Sequence, residues 1–317
     1  MLSGKKVFIT GGAGFIGSSL AERLADENRV ILYDNLHRNA LQRTSLLRHA
    51  NVDFYQGDVL DAAGLAKAMA GANCVIHCAA IAGVDTVIES PVRTMRVNML
   101  GTVNVLEAAH RLAHLDRLID FSTSEVFGTH AYKVEETHLT SQGSVGEARW
   151  TYAISKLAGE YLSHSYYHEF GLPAVTVRPF NIYGPNQVGV GAIHHFIRRA
   201  LTNLDVEIHG DGSQIRAWCY ISDIVDALLL ILESPAAIGQ VFNIGNPRST
   251  VTIFDLAKHI IRIAASGSKL VFRPINYVDV EIRVPSIEKA RTVLAFDPKV
   301  DLEEGLQSTI SWYRSHL

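Results

Sequence analysis

Short apolar runs alternate with amphipathic stretches through the first half of the chain. KVFIT precedes SSLAERLAD; RVILYD, VDFYQGD, AAGLAKAMA, CVIHCAA, TVNVLEAAHRLA and RLIDFSTS come next, and a long helical stretch around Tyr152 leads into AVTVRPFN. Repeated strand, helix, strand units predict a parallel sheet covered on both faces, because parallel strands need crossovers and the crossovers are helices. The expected fold class is α/β, a doubly wound parallel sheet.

After Pro179 the pattern loosens. NIYGPNQVGVG is rich in turn residues, HHFIRRAL is helical, and HGDGSQ is a turn cluster before AWCYI. DIVDALLLILES then reads as another sheet-covering helix, so the large lobe receives the chain a second time. The expected division is 1–179 with 218–242 for the large lobe, and 180–217 with 243–317 for a smaller α/β, substrate-binding lobe.

Composition narrows the function classes. The 317 residues are 48% hydrophobic and 19% charged, enough to bury a large core without disordered tracts. A net charge of -3 gives no electrostatic reason to expect nucleic acid or an anionic membrane. No apolar run reaches spanning length, since DALLLILE is short and flanked by acids. The first apolar run passes directly into glycines and reads as a strand, not a leader. Cys74, Cys78 and Cys219 are an odd number without metal-like spacing, which suits a reducing compartment. A soluble, cytoplasmic protein is expected.

The glycines of TGGAGFIGSSLAERL carry the first chemistry. Gly11, Gly14 and Gly17 follow a β-rich run and open a helix: the first permits a tight turn, the second lets backbone approach a pyrophosphate, the third lets helix and strand come close. The spacing is G-x-x-G-x-x-G, and the sheet it belongs to is expected to be Rossmann-like. Asp34 ends RVILYD, where a carboxylate accepts hydrogen bonds from an adenosine ribose and repels a 2'-phosphate, favouring NAD over NADP; Arg38 nearby weakens that preference. Asp58 is placed to meet the adenine or to cap the next helix. Phe15 and Ile16 in the turn, and Val59 after Asp58, complete the expected cofactor contacts.

RWTYAISKLAGE puts Tyr152 and Lys156 four residues apart, hence on one face of a helix. By itself the pair also suits an amphipathic helix with tyrosine at its core edge. TGGAGFIG, STSEVFG and YAISK in this order, with RPFNIYGP and GDGSQIRAWCYISD downstream, resemble the extended short-chain dehydrogenase/reductase family, in particular its nucleotide-sugar epimerases, dehydratases and decarboxylases. The resemblance spans essentially the whole chain.

That resemblance implies a catalytic set of Thr123, Glu125, Tyr152 and Lys156, with Tyr152 and Lys156 also touching the cofactor. A tyrosine has a reference pKa of about 10, so it serves as a base near neutrality only if its anion is stabilised. Lys156 and the positive nicotinamide are the expected stabilisers, and Thr123 the partner of the reacting hydroxyl or the phenolate. Tyr152 would take the C4 hydroxyl proton of a sugar while C4 hydride passes to NAD, leaving a 4-keto sugar. If C6 is a carboxylate, the product of that step is a β-keto acid.

The fate of the ketone separates the subfamilies. Epimerases commonly have small residues near Ser124 and Glu125; an ionisable Glu125 suits a 4,6-dehydratase or a UDP-glucuronate decarboxylase, or is a solvated loop acid. Arg149 and Trp150 in GEARWTYAISK, and VEIRVPSIEKARTVLAFDPKVDLEEGL with Arg283, resemble the decarboxylases. The loop IAGVDTVIESP looks closer to epimerases and dehydratases, Phe127 replaces a commoner tyrosine, and Asn186 stands where arginine is frequent. Ser124, Asn181, Arg216 and Arg283 match substrate-binding positions; the last three match those holding the nucleotide diphosphate, for which planar multidentate donors are suited. Turn and surface roles are the alternatives for Asn181 and Arg216.

The first expectation is therefore NAD-dependent decarboxylation of UDP-glucuronate, ahead of 4,6-dehydration and 4-epimerisation. A non-catalytic NAD-binding redox sensor and a simple alcohol dehydrogenase are the outside alternatives. A UDP-sugar is the favoured substrate. No metal is expected: His164 and His168 share a helix face without a third ligand, and His77 reads as a core residue. The family's dimer packs the helix near 98–112 and the Tyr152 helix against their copies, which implies a homodimer here.

Overall fold

In the computed structural model, which describes residues 2–189, 191–275 and 277–317, strand β1 (Lys6–Thr10) sends Val7 and Ile9 to one face of a sheet and Phe8 to the other. All three are fully buried, and this double burial is why the strands read as unbroken apolar runs. Along the chain come α1 (Phe15–Leu24), β2 (Arg29–Asp34), β3 (Val52–Gln56), α2 (Ala62–Met69), β4 (Cys74–His77), α3 (Val84–Glu89), α4 (Pro91–Met95), α5 (Gly101–His110), β5 (Arg117–Phe121), β6 (His130–Val134), α6 (Thr151–Phe170) and β7 (Ala174–Pro179). The second part adds β8 (Ile182–Tyr183), α7 (Ala192–Leu201), β9 (Val206–His209), β10 (Ile215–Ala217), β11 (Cys219–Tyr220), α8 (Ile221–Glu233), β12 (Val241–Ile244), β13 (Thr250–Thr252), α9 (Ile253–Ala264), β14 (Leu270–Arg273), β15 (Ile282–Pro285), α10 (Glu288–Leu294) and α11 (Leu302–His316).

The large sheet runs β12-β7-β5-β4-β1-β2-β3 with every pairing parallel. Helices α1, α8 and α10 cover one face and α2 and α5 the other. This is the Rossmann-like, doubly wound arrangement. Strand order reverses at β1, between β4 and β2, and the crevice beyond the carboxyl ends of these strands is where such sheets bind ligands.

A smaller sheet, β13-β10-β15-β6, packs beside a second core built by α7, α9 and α11 around Phe196, Ile197, Leu256, Ile260, Leu306 and Ile310. Two elements lie across the expected boundaries. Strand β6, from the first segment, pairs with β15 in the smaller sheet, and α10, from the last segment, buries Ala290 and Leu294 against the core of the large one. Neither placement is visible in local periodicity, because each is decided by a partner distant in sequence.

Between α4 and α5 the helix widens into a π-helical turn, Arg96–Leu100. That turn carries Asn98, whose side chain accepts from the Ile81 amide (2.8 Å) and donates to the Ile81 carbonyl (3.1 Å) and to Ser155 Oγ (3.0 Å). One asparagine thus ties the loop after β4 to α6, between Tyr152 and Lys156. Such turns commonly mark functional sites.

Candidate active site

Gly11 ends β1 with φ at +67°, and a Cβ there would lie 2.7 Å from the Ala79 nitrogen. Only glycine accepts both that backbone angle and that neighbour. A Cβ on Gly17 would meet the Gly11 carbonyl oxygen at 2.4 Å, so the third glycine lets the helix start lie on the turn. Gly14 precedes α1 without a capping side chain, leaving the first amide groups of that helix to a ligand. A cavity of about 800 Å³ opens over this turn. It is lined by all the predicted cofactor residues: Gly11, Gly14, Phe15, Ile16, Gly17, Asp34, Asp58, Val59, Tyr152 and Lys156. A glycine cradle at a helix N-terminus, with a carboxylate at the end of the second strand, fits a dinucleotide.

Asp34 is anchored from below. Its carboxylate accepts from the amides of Ala13 (3.1 Å) and Leu36 (2.7 Å), while burial raises its pKa. Asp58 lines the cavity but does not cap α2: Asp61 does, accepting from the Gly64 amide at 3.0 Å. Arg38 is held by backbone. It donates to the Ala82 carbonyl at 2.7 Å and lies against Gly189, bridging two loops at the cavity mouth.

Tyr152 and Lys156 line the cavity from α6, as their spacing predicts. The Thr123 hydroxyl stands near the phenol, where it favours the phenolate against burial, and accepts from the Glu125 amide at 3.2 Å, which starts the turn Ser124–Phe127. Ser124 is buried beside it. The electrostatics differ from expectation. Burial, reinforced by the Glu125 carboxylate, pushes the Tyr152 phenol above its ordinary value, and the largest opposing cations are Arg283 and Arg38 rather than Lys156. Lys156 faces the other way electrically: burial lowers its pKa, and Asp120, Cys78 and Glu160 hold it up.

Beyond Tyr152 lies a chain of alternating charges. Arg283 Nη2 is 3.5 Å from Glu125 Oε1; Glu125 Oε2 accepts from Arg149 Nη1 at 2.9 Å; Arg149 Nη2 is 3.5 Å from Asp279 Oδ1; and Asp279 Oδ2 is 3.5 Å from Arg216 Nη2. Strand register brings the two outer arginines side by side, since Arg216 and Arg283 are direct partners on β10 and β15. Against burial, Arg283 and then Arg149 hold the Glu125 carboxyl below its usual range, so it is an anion at neutral pH. Arg216 also donates to the carbonyls of Ile215 and Val280. Asn181, with φ at +42°, donates to the Ala217 carbonyl at 2.8 Å, at the junction of the two lobes.

The model of the NAD-dependent epimerase/dehydratase family matches residues 7–245. The chain belongs to this family. Among curated members, it is 35% identical to the UDP-N-acetyl-alpha-D-glucosaminuronate decarboxylase of Bacillus cytotoxicus, over 98% of each chain. It is 31% identical to UDP-glucuronic acid decarboxylase 1 of Xenopus tropicalis, over 99% of this chain and 73% of that one. Among solved structures, the UDP-glucuronic acid 4-epimerase of Bacillus cereus, in complex with UDP-glucuronic acid and NAD, superposes with a TM-score of 0.91 at 30% identity, covering 98% of this chain and all of the other. The chain is thus an NAD-dependent enzyme of the epimerase/dehydratase family.

Most of the predicted residues fall into two groups that meet at Tyr152, while Asn181 joins neither, its amide being committed to the Ala217 carbonyl. One is the cofactor cradle; the other joins Thr123, Glu125, Arg216 and Arg283. Asp279, Asn98 and Asp120 belong to the same neighbourhood and carry no motif. His77 is a core residue, bonded to Thr10 (2.7 Å) and Thr102 (3.0 Å). Among the described residues no group of three or more His, Cys, Asp or Glu is placed to hold a metal ion, and no helix is long and apolar enough to cross a membrane.

Proposed function

We propose that this enzyme decarboxylates a UDP-linked uronic acid through a 4-keto intermediate. The observation that carries the reading is the charge inventory beside Tyr152. The guanidinium groups of Arg149, Arg216 and Arg283 stand against the carboxylates of Glu125 and Asp279, a surplus of one cation in a buried space. The Nε–H group of Arg283 is buried there without an acceptor. An unpaired buried donor is costly, and a carboxylate on the substrate supplies the acceptor that Arg283 lacks. The activity named for the Bacillus cytotoxicus relative supports the same class.

NAD, held by the Gly11–Gly17 turn, the start of α1 and Asp34, supplies the hydride acceptor and a positive charge that favours the Tyr152 phenolate. Tyr152 accepts the proton of the C4 hydroxyl, with Thr123 aligning it. Lys156 adds positive charge on the same helix face. Arg283 orients the C6 carboxylate in a forked contact, while Arg216 and Asn181 hold the diphosphate. Once C4 is a ketone, the bond from C5 to C6 breaks and its electron pair moves towards the ketone oxygen. Hydrogen bonds from Tyr152 and Thr123 stabilise the charge developing there. Glu125, held as an anion, positions the proton source that completes C5.

One observation favours a second reading. An ionised Glu125 beside Tyr152 also fits a base that removes the C5 proton of a neutral hexose, as 4,6-dehydration requires. Mass spectrometry of products from UDP-, dTDP-, GDP- and CDP-sugars, incubated with the protein and NAD, decides between them. Loss of carbon dioxide from UDP-glucuronate or its N-acetylated analogue is the expected result. Loss of water from a neutral hexose, or an isomer of unchanged mass, overturns it in favour of dehydratase or epimerase chemistry.

The exposed side chains of Val92, Leu100, Ile154 and Tyr161 on the adjoining helices α4 to α6 support a homodimer formed through that face. Sedimentation velocity tests the assembly, and a monomer at micromolar concentration overturns it.

A further inference from the structure

Arg149 occupies the centre of the alternating charges, and both of its terminal nitrogens face carboxylates of the protein itself. Its side chain is 4% exposed. Nη1 donates to Glu125, Nη2 faces Asp279, and the guanidinium carbon lies 4.7 Å from the centre of the Trp150 ring. Trp150 is buried in turn and donates from its indole to Glu147 at 2.8 Å. This turn, Ala148–Trp150, leads directly into α6 and therefore into Tyr152. An arginine so enclosed is a poor ligand for substrate and a good brace for a neighbour.

Glu125 is that neighbour. The groups facing its carboxylate are Arg149 from the turn before α6, Arg283 from β15, Arg216 from β10 and Tyr152 from α6. The Arg149 contact at 2.9 Å is a charge-assisted hydrogen bond, whereas Arg283 stands back at 3.5 Å. Arg149 therefore sets the direction of the carboxylate, and Arg283 is the more loosely paired of the two.

We propose that Arg149 is a positioning residue for Glu125, so that the step after C4 oxidation depends on it while the oxidation itself does not. The identity of that later step rests on the decarboxylase reading. Removing a cation at this range raises a carboxylate pKa by about 1–3 units. The acid limb of the later step then moves up in pH, because protonation of Glu125 becomes easier, and the limb for oxidation stays in place.

The experiment compares the full-length protein with Arg149→Met and Arg149→Lys. Reduced-nicotinamide absorbance in a single turnover reports oxidation, carbon dioxide release reports the later step, each is followed against pH, and thermal unfolding reports folding. The expected result for Arg149→Met is oxidation within about twofold of wild type, carbon dioxide release slowed at least about tenfold, and an acid limb raised by about one unit or more. Arg149→Lys restores the charge and part of the rate. Equal loss in both steps, or an unmoved limb, overturns the proposal.

If Arg149→Met fails to fold, a cycle with Glu125→Gln and Arg149→Lys gives the answer. Non-additive effects support action through Glu125, and additive ones reject it. If the wild type oxidises no nucleotide sugar, the decarboxylase reading falls. The positioning claim is then decided by acid unfolding of the same cycle: coupling between the two sites supports it and independence overturns it.

Discussion

Arg178 grips Glu160 through two hydrogen bonds, 2.9 Å from Nε and 2.7 Å from Nη2, one helical turn beyond Lys156. Each side chain is only 6% exposed. The pair joins α6 to β7 beneath the site, and Arg178 reaches further to the Glu136 carbonyl. Breaking such a pair leaves a buried charge without its partner. Glu160→Ala is expected to destabilise the fold by about 3–5 kcal/mol, while Glu160→Met with Arg178→Met together should cost less than the single change. Denaturant unfolding of the three proteins checks this; a larger loss in the double variant would contradict it.

The third glycine is a steric test of the cradle. Gly17→Ala places a methyl group 2.4 Å from the Gly11 carbonyl, and backbone rather than a flexible side chain must move. A loss of about 1–3 kcal/mol is expected, as for other overpacked sites, with cofactor affinity falling alongside it. Calorimetry of NAD binding and thermal unfolding read the two effects. Unchanged values in both would mean that the turn is not closely packed in solution.

Asp34 is predicted to set the choice of dinucleotide. Asp34→Ala removes the charge that repels a 2'-phosphate, and the ratio of NAD to NADP affinity should fall about tenfold or more, roughly 1.4 kcal/mol. Fluorescence titration with both cofactors measures it. A constant ratio would mean that the ribose is read elsewhere, with Arg38 the first candidate.

Tyr152→Phe should abolish C4 oxidation while leaving NAD affinity within about twofold, because the hydroxyl and not the ring does the chemistry. Reduced cofactor formed at the wild-type rate would remove Tyr152 from the role of base.

The depressed Glu125 pKa also predicts an acid signature in stability. Its ion pairs with Arg149 and Arg283 are fully present above the unfolded-state value, near about 4.3, and are lost as pH falls through the lower folded value. Wild type should therefore lose stability in that acid range more steeply than Glu125→Gln. Melting curves collected from neutral to acid pH test the sign, and parallel curves for the two proteins would refute the depression.

Legibility in the sequence depends on distance along the chain. The glycine turn and the Tyr152–Lys156 pair depend on backbone geometry within a few residues, so spacing shows the turn and the shared helix face, while the role of the pair comes from the resemblance. The charge cluster is different. Glu125, Arg149, Arg216 and the stretch from Asp279 to Arg283 come from four separate segments, and the register of β10 on β15 places only Arg216 beside Arg283. Arg149 and Arg283 stand out through resemblance to the decarboxylases, but the carboxylates they face are not readable from that resemblance. Asn98 is hidden because a π-helical turn breaks the period by which helix faces are read. The Tyr152 pKa escapes for a related reason: it sums burial with the charges of Glu125, Arg283 and Arg38, none of them adjacent in sequence.

The lobes are stitched to each other repeatedly. The chain leaves the large sheet after Phe121 to form β6, returns for α6 and β7, leaves again through β8 to β10, returns for α8 and β12, crosses to β13 through β15, comes back for α10, and ends in α11 beside the smaller core. No single cut of the backbone would release either lobe, so a protease nick in one connection should leave both halves associated. A chimera that borrows a relative's smaller lobe would have to match the seam at every crossing. Any opening that admits a nucleotide sugar is correspondingly shared among many strands of chain rather than concentrated at one hinge.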